Sequence, residues 1–454
     1  MDKDLLFKYN VPGPRYTSYP TVPYWQQSPP TQTEWNNLIK EAFSFSNRNE
    51  GVSLYIHLPY CESLCTYCGC NTRITINHAV EKTYIESLLH EWSIYKRLFE
   101  GQEPVIKEIH LGGGTPTFFS PENLTWLIKT AMEGCRIHPE AQFSFEAHPG
   151  NTTDSHLEAL YRVGFRRISI GVQDFSPIVL AAINRHQTFE QIRHLTQKSR
   201  EMGYTSINYD MIYGLPFQKS CSMMETMIKV VQLKPDRIAF YSYAHIPWIK
   251  PSQRSYSEND LPDADKKLAL YQTGKNVLEL AGYQDIGMDH FALKSDALFK
   301  ASQEGKLHRN FMGYTEANTR MLIGLGTSAI SDTWFGFAQN EKNIDTYTKR
   351  LQKGELPIYK GHELTKEDLI IRKHILNLMT RYETHWPQPN QICEAFNEGL
   401  QRMDEMVKDE LVILEPYRLR ITDKGRAFIR NICMALDARL WADKPINQIF
   451  SKTV

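Results

Sequence analysis

The chain has 454 residues, enough for two or three domains and a sizeable buried core. Lys plus Arg (52) balance Asp plus Glu (52), and 41% hydrophobic with 23% charged residues is ordinary globular composition, which excludes a disordered chain and a generally basic nucleic-acid surface. No stretch approaches the roughly 18 uninterrupted apolar residues of a membrane span. The N-terminal MDKDLLFKYN carries charges where a signal peptide needs an apolar run, so a cytoplasmic protein is expected. Eight cysteines are too few for a disulfide scaffold, yet four fall within residues 61–70, and clustered thiols in a reducing compartment point to metal or redox chemistry.

The first distinctive segment, PGPRYTSYPT at 12–21, is too rich in proline for a regular helix and predicts an ordered arm or a tail. From about residue 52, short β-branched or aromatic runs alternate with longer stretches of helical period. The runs VSLYIHL (52–58), IKEIHLG (106–112), AQFSFEA (141–147), RRISIGV (166–172), TSINYDMIYG (205–214) and DRIAFYSYA (236–244) predict strands joined by crossover helices, hence a parallel α/β sheet. Such sheets place chemistry in the loops at strand C-terminal ends. Cys61, Gly112–Gly114, Glu146, Gln173 and Asp210 are expected at those ends, and tips gathered on one rim predict a barrel or partial barrel. After about residue 360 the period turns helical, then LVILEPYRLRITDKG reads as two short strands around a turn, so a winged-helix-like domain is expected. Its mixed acids and bases favour a packing or lid role over DNA binding. The expected division is residues 1–45 as arm and lead-in, 46–358 as core with its extension, and 359–454 as a mostly helical C-terminal domain.

Cys61, Cys65 and Cys68 stand in the spacing C-x3-C-x2-C directly after the first strand, with Tyr67 before the third thiol and Cys70 beyond it. A structural zinc site wants a fourth ligand, and Cys135, Cys221, Cys393 and Cys433 offer no second pair. Three thiolates on a four-iron cluster leave one iron open. After the second strand, Gly112-Gly113-Gly114-Thr115-Pro116-Thr117 lacks side chains that would keep a ligand from the backbone. Glu146, Gln173, Asp210 and Arg185 are each individually common as surface or capping residues; their shared rim makes them site candidates. Gly324-Leu325-Gly326-Thr327-Ser328-Ala329 matches the dinucleotide fingerprint, with Asp345 beyond it, but ISDTWFGFAQN does not start a helix, so the required context is missing.

The cysteine loop resembles that of the radical S-adenosylmethionine enzymes, which implies a partial (β/α) barrel and one 4Fe-4S cluster on Cys61, Cys65 and Cys68. Its open iron would chelate S-adenosylmethionine, and the reduced cluster would cleave it to methionine and a 5′-deoxyadenosyl radical. Along essentially the whole chain, PGPRYTSYPT, YIHLPYCESLCTYCGCN, HLGGGTPT, GVQDF, NYDMIYGLP, YSYAHIP, GMDHFA, HRNFMGYT and IRNICM resemble the oxygen-independent coproporphyrinogen III oxidase family of heme biosynthesis. That resemblance implies hydrogen abstraction from the β-carbon of a propionate, loss of carbon dioxide and formation of a vinyl group, twice per substrate. It also implies two bound S-adenosylmethionine molecules, the first touching Tyr55, Gly113, Glu146 and Ile330, the second Tyr67, Gly114, Thr115, Gln173, Arg185, Asp210 and Ala244. Turnover is assigned to Cys70, Tyr55 and Arg15. His148 stands where an acid is expected, and His57 reads as a packed strand residue.

Coproporphyrinogen III carries four propionates, so this neutral chain must gather cations locally, and Arg15 and Arg309 are the candidates. A reductant and an electron acceptor are implied but unnamed; a monomer with no nucleic-acid partner is expected. The rival is a heme-binding chaperone that shares the cysteine loop. It lacks the PGPRYTSYPT arm and typically has Phe after the Gly following the third cysteine, whereas this chain has Cys70-Asn71.

Overall fold

The computed structural model describes residues 3–26, 28–445 and 449–453. Among these, the six expected strands form as β1 (Val52–Leu58), β2 (Val105–Gly113), β3 (Arg136–Ala147), β4 (Arg167–Gln173), β5 (Ser206–Tyr213) and β6 (Arg237–Ser242). They pair in parallel in chain order. The sheet continues past β6 through β7 (Gln284–Gly287) and β8 (His290–Ala292), and past β1 through β9 (Leu322–Leu325), β10 (Ile330–Asp332), β11 (Gly336–Asn340) and β12 (Ile358–Glu363). The order of the twelve strands is β12-β11-β10-β9-β1-β2-β3-β4-β5-β6-β8-β7, open at both edges, so the barrel is partial. β9 lies parallel to β1, a seventh parallel strand absent from the expectation. It was too short and too glycine-rich to stand out by period.

Strand alternation explains how one sheet makes both core and site. Leu54, Ile56, Ile109, Leu111, Phe143, Phe145, Ile168, Ile170, Ile207, Met211, Ile238 and Phe240 are buried on the outer face. Helices α1 to α4 of the barrel wall, here Val80–Leu98, Pro121–Met132, Asp154–Arg162 and Phe189–Met202, supply apolar partners such as Tyr84, Leu88, Leu124, Leu127, Leu157 and Ile192. The alternate residues face the lumen and are polar: Ser53, Tyr55 and His57 on β1, Glu108 and His110 on β2, Ser144 and Glu146 on β3, Ser169 on β4, Asn208 and Asp210 on β5. Arg167 and Arg237 share Glu316 at 3.0 and 2.9 Å, and Arg237 also meets Asp296 at 2.7 Å. Burial of these cations is thereby compensated.

The N-terminal segment begins with a helix, Lys3–Tyr9, that the sequence reading did not foresee. The arm after it is ordered against the C-terminal domain. Gly13 N–H donates to the Ser451 carbonyl at 3.0 Å, Thr453 N–H to the Val11 carbonyl at 2.8 Å, and Tyr16 O–H to Asp437 at 2.9 Å. Tyr16 and Tyr19 join the buried cluster of Ile371, Leu378, Phe396 and Ile432, and Trp25 stacks on Phe337. In the C-terminal domain Val412–Glu415 and Arg418–Ile421 are the two expected strands, with Glu383–His385 as an unforeseen third on the outer side. The boundary placed at 45/46 falls inside the helix Gln32–Asn49, and that at 358/359 inside β12. Among the described residues no helix is long and apolar enough to cross a membrane.

Candidate active site

The cysteine loop leaves β1 at Pro59 and is closed at its base by the pairing of Cys61 with Ile74. Its far side is tied to the loop after β4: Thr66 N–H donates to the Ile183 carbonyl at 3.2 Å, and Asn184 to the Leu64 carbonyl at 2.8 Å. The segment after β6 covers it, Lys250 bonding the Cys70 carbonyl and Gln253 the carbonyls of both Tyr67 and Ala244. Ala244 and Tyr67 are thus brought together.

Donors address the thiols. Thr115 Oγ1 lies 3.3 Å from Cys61 Sγ, and Arg185 Nη1 lies 3.8 Å from Cys65 Sγ. Burial pushes the Cys61 thiol up to about 12, so iron binding must release its proton. Among the described residues no three His, Cys, Asp or Glu side chains converge to hold a single metal ion. A four-iron cubane takes its thiolates at separate corners, so three half-exposed free thiols on one loop, with hydrogen-bond donors beside two of them, fit that group and not a lone cation.

The glycine run works differently from the expectation. Its N–H groups are taken within the protein: Gly113 donates to Glu146 at 3.2 Å, Gly114 to the Leu58 carbonyl at 2.8 Å, and Thr115 to the Tyr60 carbonyl at 3.0 Å. A Cβ on Gly114 would come within 2.6 Å of the Pro59 carbonyl oxygen, and one on Gly113, where φ is +117°, within 2.8 Å of the His57 ring. The run therefore lets β2 press against the root of the cysteine loop and does not offer a row of free N–H donors.

Tyr55, Gly113 and Glu146 meet on the lumen side. The Tyr55 ring stacks on His110, whose Nε2 is 3.5 Å from Glu146. Burial alone would raise the Glu146 carboxyl; the His110 contact and the Gly113 N–H hold it below the ordinary carboxylate range. Tyr55 O–H lies 3.0 Å from His57 Nδ1, and His57 Nε2 lies 2.9 Å from the Asn71 carbonyl beyond the cysteines. A carbonyl only accepts, so Nε2 carries the proton and Nδ1 accepts from Tyr55; burial lowers the His57 pKa and keeps that neutral form. His57 is packed on its strand as expected, 4% exposed, and its ring in addition orients Tyr55 against the cysteine loop. His110 was missed. Its signal was its place two residues before Gly112 and on the same strand face.

Gln173 and Arg185 form the neighbouring group. Gln173 takes φ +65° at the end of β4 and lies beside Gly171, while Arg185, 6% exposed, bonds the Gly171 carbonyl, Gln187 and Cys65. Asp210 does not end its strand as expected. It sits within β5 opposite Gly171, held by Ser169 at 2.8 Å and Asn208 at 2.9 Å. Its carboxyl is pushed up to about 6 by burial and by the Glu146 charge. Ile330 opens β10 and its backbone packs over Gly324, the β9 partner of Tyr55. Gly324-to-Ala329 is a strand–turn–strand in which Asp345 merely opens the next helix, so no dinucleotide site forms. His148, half-buried, has its pKa lowered to about 3 by burial and the Arg185 charge. Cys70 is exposed, its N–H donating to Cys68 Sγ at 3.4 Å. Of the substrate candidates, Arg15 pairs with Asp289 at 2.7 Å, and Arg309 is buried beneath the arm.

Residues 55–229 match the model of the radical SAM superfamily. The whole chain aligns with the oxygen-independent coproporphyrinogen III oxidase of Salmonella typhimurium at 37% identity, covering 98% of that protein. The protein of that name from Pseudomonas aeruginosa is 36% identical over 97% of this chain and 96% of its own length. A solved coproporphyrinogen III oxidase from Escherichia coli, described as a radical SAM enzyme, superposes with a TM-score of 0.89 at 36% identity, over 96% of this chain and 98% of that one. With the cysteine loop, the lumen carboxylates and the full-length likeness in agreement, the chain belongs to the oxygen-independent coproporphyrinogen III oxidase family of radical S-adenosylmethionine enzymes.

Proposed function

We infer that the protein catalyses the anaerobic oxidative decarboxylation of two propionates of coproporphyrinogen III to vinyl groups, giving protoporphyrinogen IX in heme biosynthesis. The observation that carries this is full-length likeness to enzymes of that name combined with three free thiols on a donor-lined loop at the barrel rim. When bound, the 4Fe-4S cluster supplies the electron that cleaves S-adenosylmethionine to methionine and a 5′-deoxyadenosyl radical.

The chain's own residues do the rest. Cys61, Cys65 and Cys68 hold the cluster, while Thr115 and Arg185 donate to two of their sulfurs and lower the charge there. Tyr55, Gly113, Glu146 and Ile330 contact one S-adenosylmethionine, with Glu146 as the ionised acceptor for a ribose hydroxyl or an ammonium. Tyr67, Gly114, Thr115, Gln173, Arg185, Asp210 and Ala244 contact a second. Cys70 and Tyr55 face the reaction, and Arg15 binds substrate. The lumen cavity, about 220 Å³, is smaller than the roughly 300–1,000 Å³ of pockets that enclose drug-sized ligands. A propionate enters it while the macrocycle stays at the mouth.

A division into N-terminal arm and lead-in, core and C-terminal domain, a cytoplasmic site of action, a monomeric state and an external reductant and acceptor complete this reading. The test is anaerobic incubation of the cluster-loaded enzyme with reductant, S-adenosylmethionine and coproporphyrinogen III. Products two decarboxylations lighter are expected by mass spectrometry; unchanged substrate with methionine and 5′-deoxyadenosine formed would reject this substrate.

A further inference from the structure

Four cations, Arg15, Lys267, Arg309 and Arg430, crowd the mouth beside β5 and β6, and of these only Arg15 is ion-paired among the described residues, with Asp289. Arg15 from the arm donates to Asp289 at 2.7 Å and to the Ser242 carbonyl, at the end of β6, at 3.5 Å. Lys267, in the first turn of the helix Ala264–Leu280, lies over Gly214 just past β5, and its Nζ donates to the Tyr243 carbonyl at 2.9 Å. Arg309 donates to the carbonyls of Tyr16 and Arg15, and its Nη1 is buried without a partner. Arg430 is used on the carbonyls of Pro14, Lys452 and Gly13. Among the described residues Lys267, Arg309 and Arg430 form no ion pair. Burial together with the Arg15 and Arg430 charges pushes the Lys267 ammonium down to about 8, the behaviour of a cation short of counter-charge.

The cluster lies beside the site already described. Tyr241 and His290 line the lumen with Asp210 and Glu146, and both lie close enough to Arg15 and Arg309 for those charges to act on them. Buried cations without counter-charge are costly to the fold, so the arrangement calls for an anion from outside. We propose that Arg15, Lys267 and Arg309 form the pocket that grips the propionate carboxylates the reaction leaves intact, with Lys267 as the residue that distinguishes a free acid from an ester. This rests on the substrate reading above. A cation held on a carboxylate stabilises a charge that decarboxylation must remove, and it therefore opposes reaction of the propionate it grips. A clamp of this strength suits carboxylates that stay. Asp289 keeps Arg15 extended across the end of β6, so that its guanidinium stands at the mouth.

The experiment titrates the cluster-loaded enzyme under argon with coproporphyrin III, the stable aromatic form bearing the same carboxylates, and with its tetramethyl ester, read by porphyrin fluorescence. The wild type is expected to prefer the acid. Lys267→Met, checked for unchanged iron content and circular dichroism, should bind the acid about tenfold more weakly and the ester as before. Lys267→Arg should restore the preference. Lys267→Met binding the acid as tightly as the wild type, or losing acid and ester alike, overturns the pocket and leaves the substrate reading standing. A wild type that binds neither porphyrin, or acid and ester alike, also overturns the pocket, while the substrate reading stands or falls on the turnover experiment above.

Discussion

Asp210 and Glu146 occupy one lumen, yet their environments push them apart: Glu146 is held ionised by His110 and Gly113, while Asp210 is raised to about 6. If both hold cofactor through hydrogen bonds, Glu146→Ala and Asp210→Ala should keep their iron and bind S-adenosylmethionine roughly tenfold more weakly, as equilibrium titration would show. Ionised Asp210 is the better acceptor, so affinity should climb as pH rises through about 6, and Asp210→Asn should flatten that climb. The sign for stability is opposite. A carboxyl whose folded pKa lies above its ordinary 3.8 weakens the fold as pH rises from about 4 to about 6, so cofactor-free Asp210→Asn should lose less thermal stability than the wild type over that range. At the cysteines, Cys61→Ala, Cys65→Ala and Cys68→Ala should each abolish the iron chromophore. Cys70→Ser should keep it, since Cys70 lies outside the C-x3-C-x2-C triad and serine retains both the backbone N–H and a side-chain hydrogen-bonding group toward Cys68, while turnover falls. Full iron in any of the first three variants would remove that thiol from the ligand set.

At the scale of elements, the site depends on β2 pressing against the start of the cysteine loop. Gly114→Ala drives a methyl into the Pro59 carbonyl, where backbone meets backbone and neither side can swing away. The expected cost is about 1–3 kcal/mol, concentrated on the loop that carries the thiols. A lower thermal midpoint together with reduced iron retention would show it; an unchanged iron content would mean that the loop absorbs the methyl. Strand alternation has a second consequence. Because Tyr55 and His57 share a face of β1, and His110 and Gly112 share a face of β2, one register places the tyrosine, its orienting histidine and the Glu146 partner together. The sequence pointed to Tyr55 and Glu146 and to His57 as a packed strand residue but not to His110, since a single histidine in an apolar strand carries no pattern beyond its parity.

For the whole molecule, the arm couples the C-terminal domain to the barrel mouth. Although the βα core begins near residue 52, the arm is not dispensable to the fold: Tyr16 and Tyr19 are 4% and 2% exposed within the C-terminal core, so deleting residues 1–22 would strip that core as well as the substrate contact. The two roles separate by substitution. Tyr16→Ala should lower stability by about 3–5 kcal/mol, the range for a large buried aromatic, and is read by denaturant unfolding of the cofactor-free protein. Arg15→Ala, half-exposed and at the mouth, should leave that transition nearly in place while raising KM for coproporphyrinogen III; equal KM values would leave the arm a purely structural tie.

The sequence by itself determined the parallel α/β core, the cysteine triad and the order of the two domains, because these follow from local signals: strand period, thiol spacing and the shift to helical period near residue 360. Tertiary structure alone decided the rest. That β9 closes on β1, that Asp210 lies inside its strand, that the glycine run is consumed by packing against Pro59, and that Arg15, Lys267, Arg309 and Arg430 share one mouth are long-range facts. The four cations come from the arm, a helix after β6, a hairpin and the C-terminal domain, separated by up to hundreds of residues, and only folding brings their charges within reach of one another.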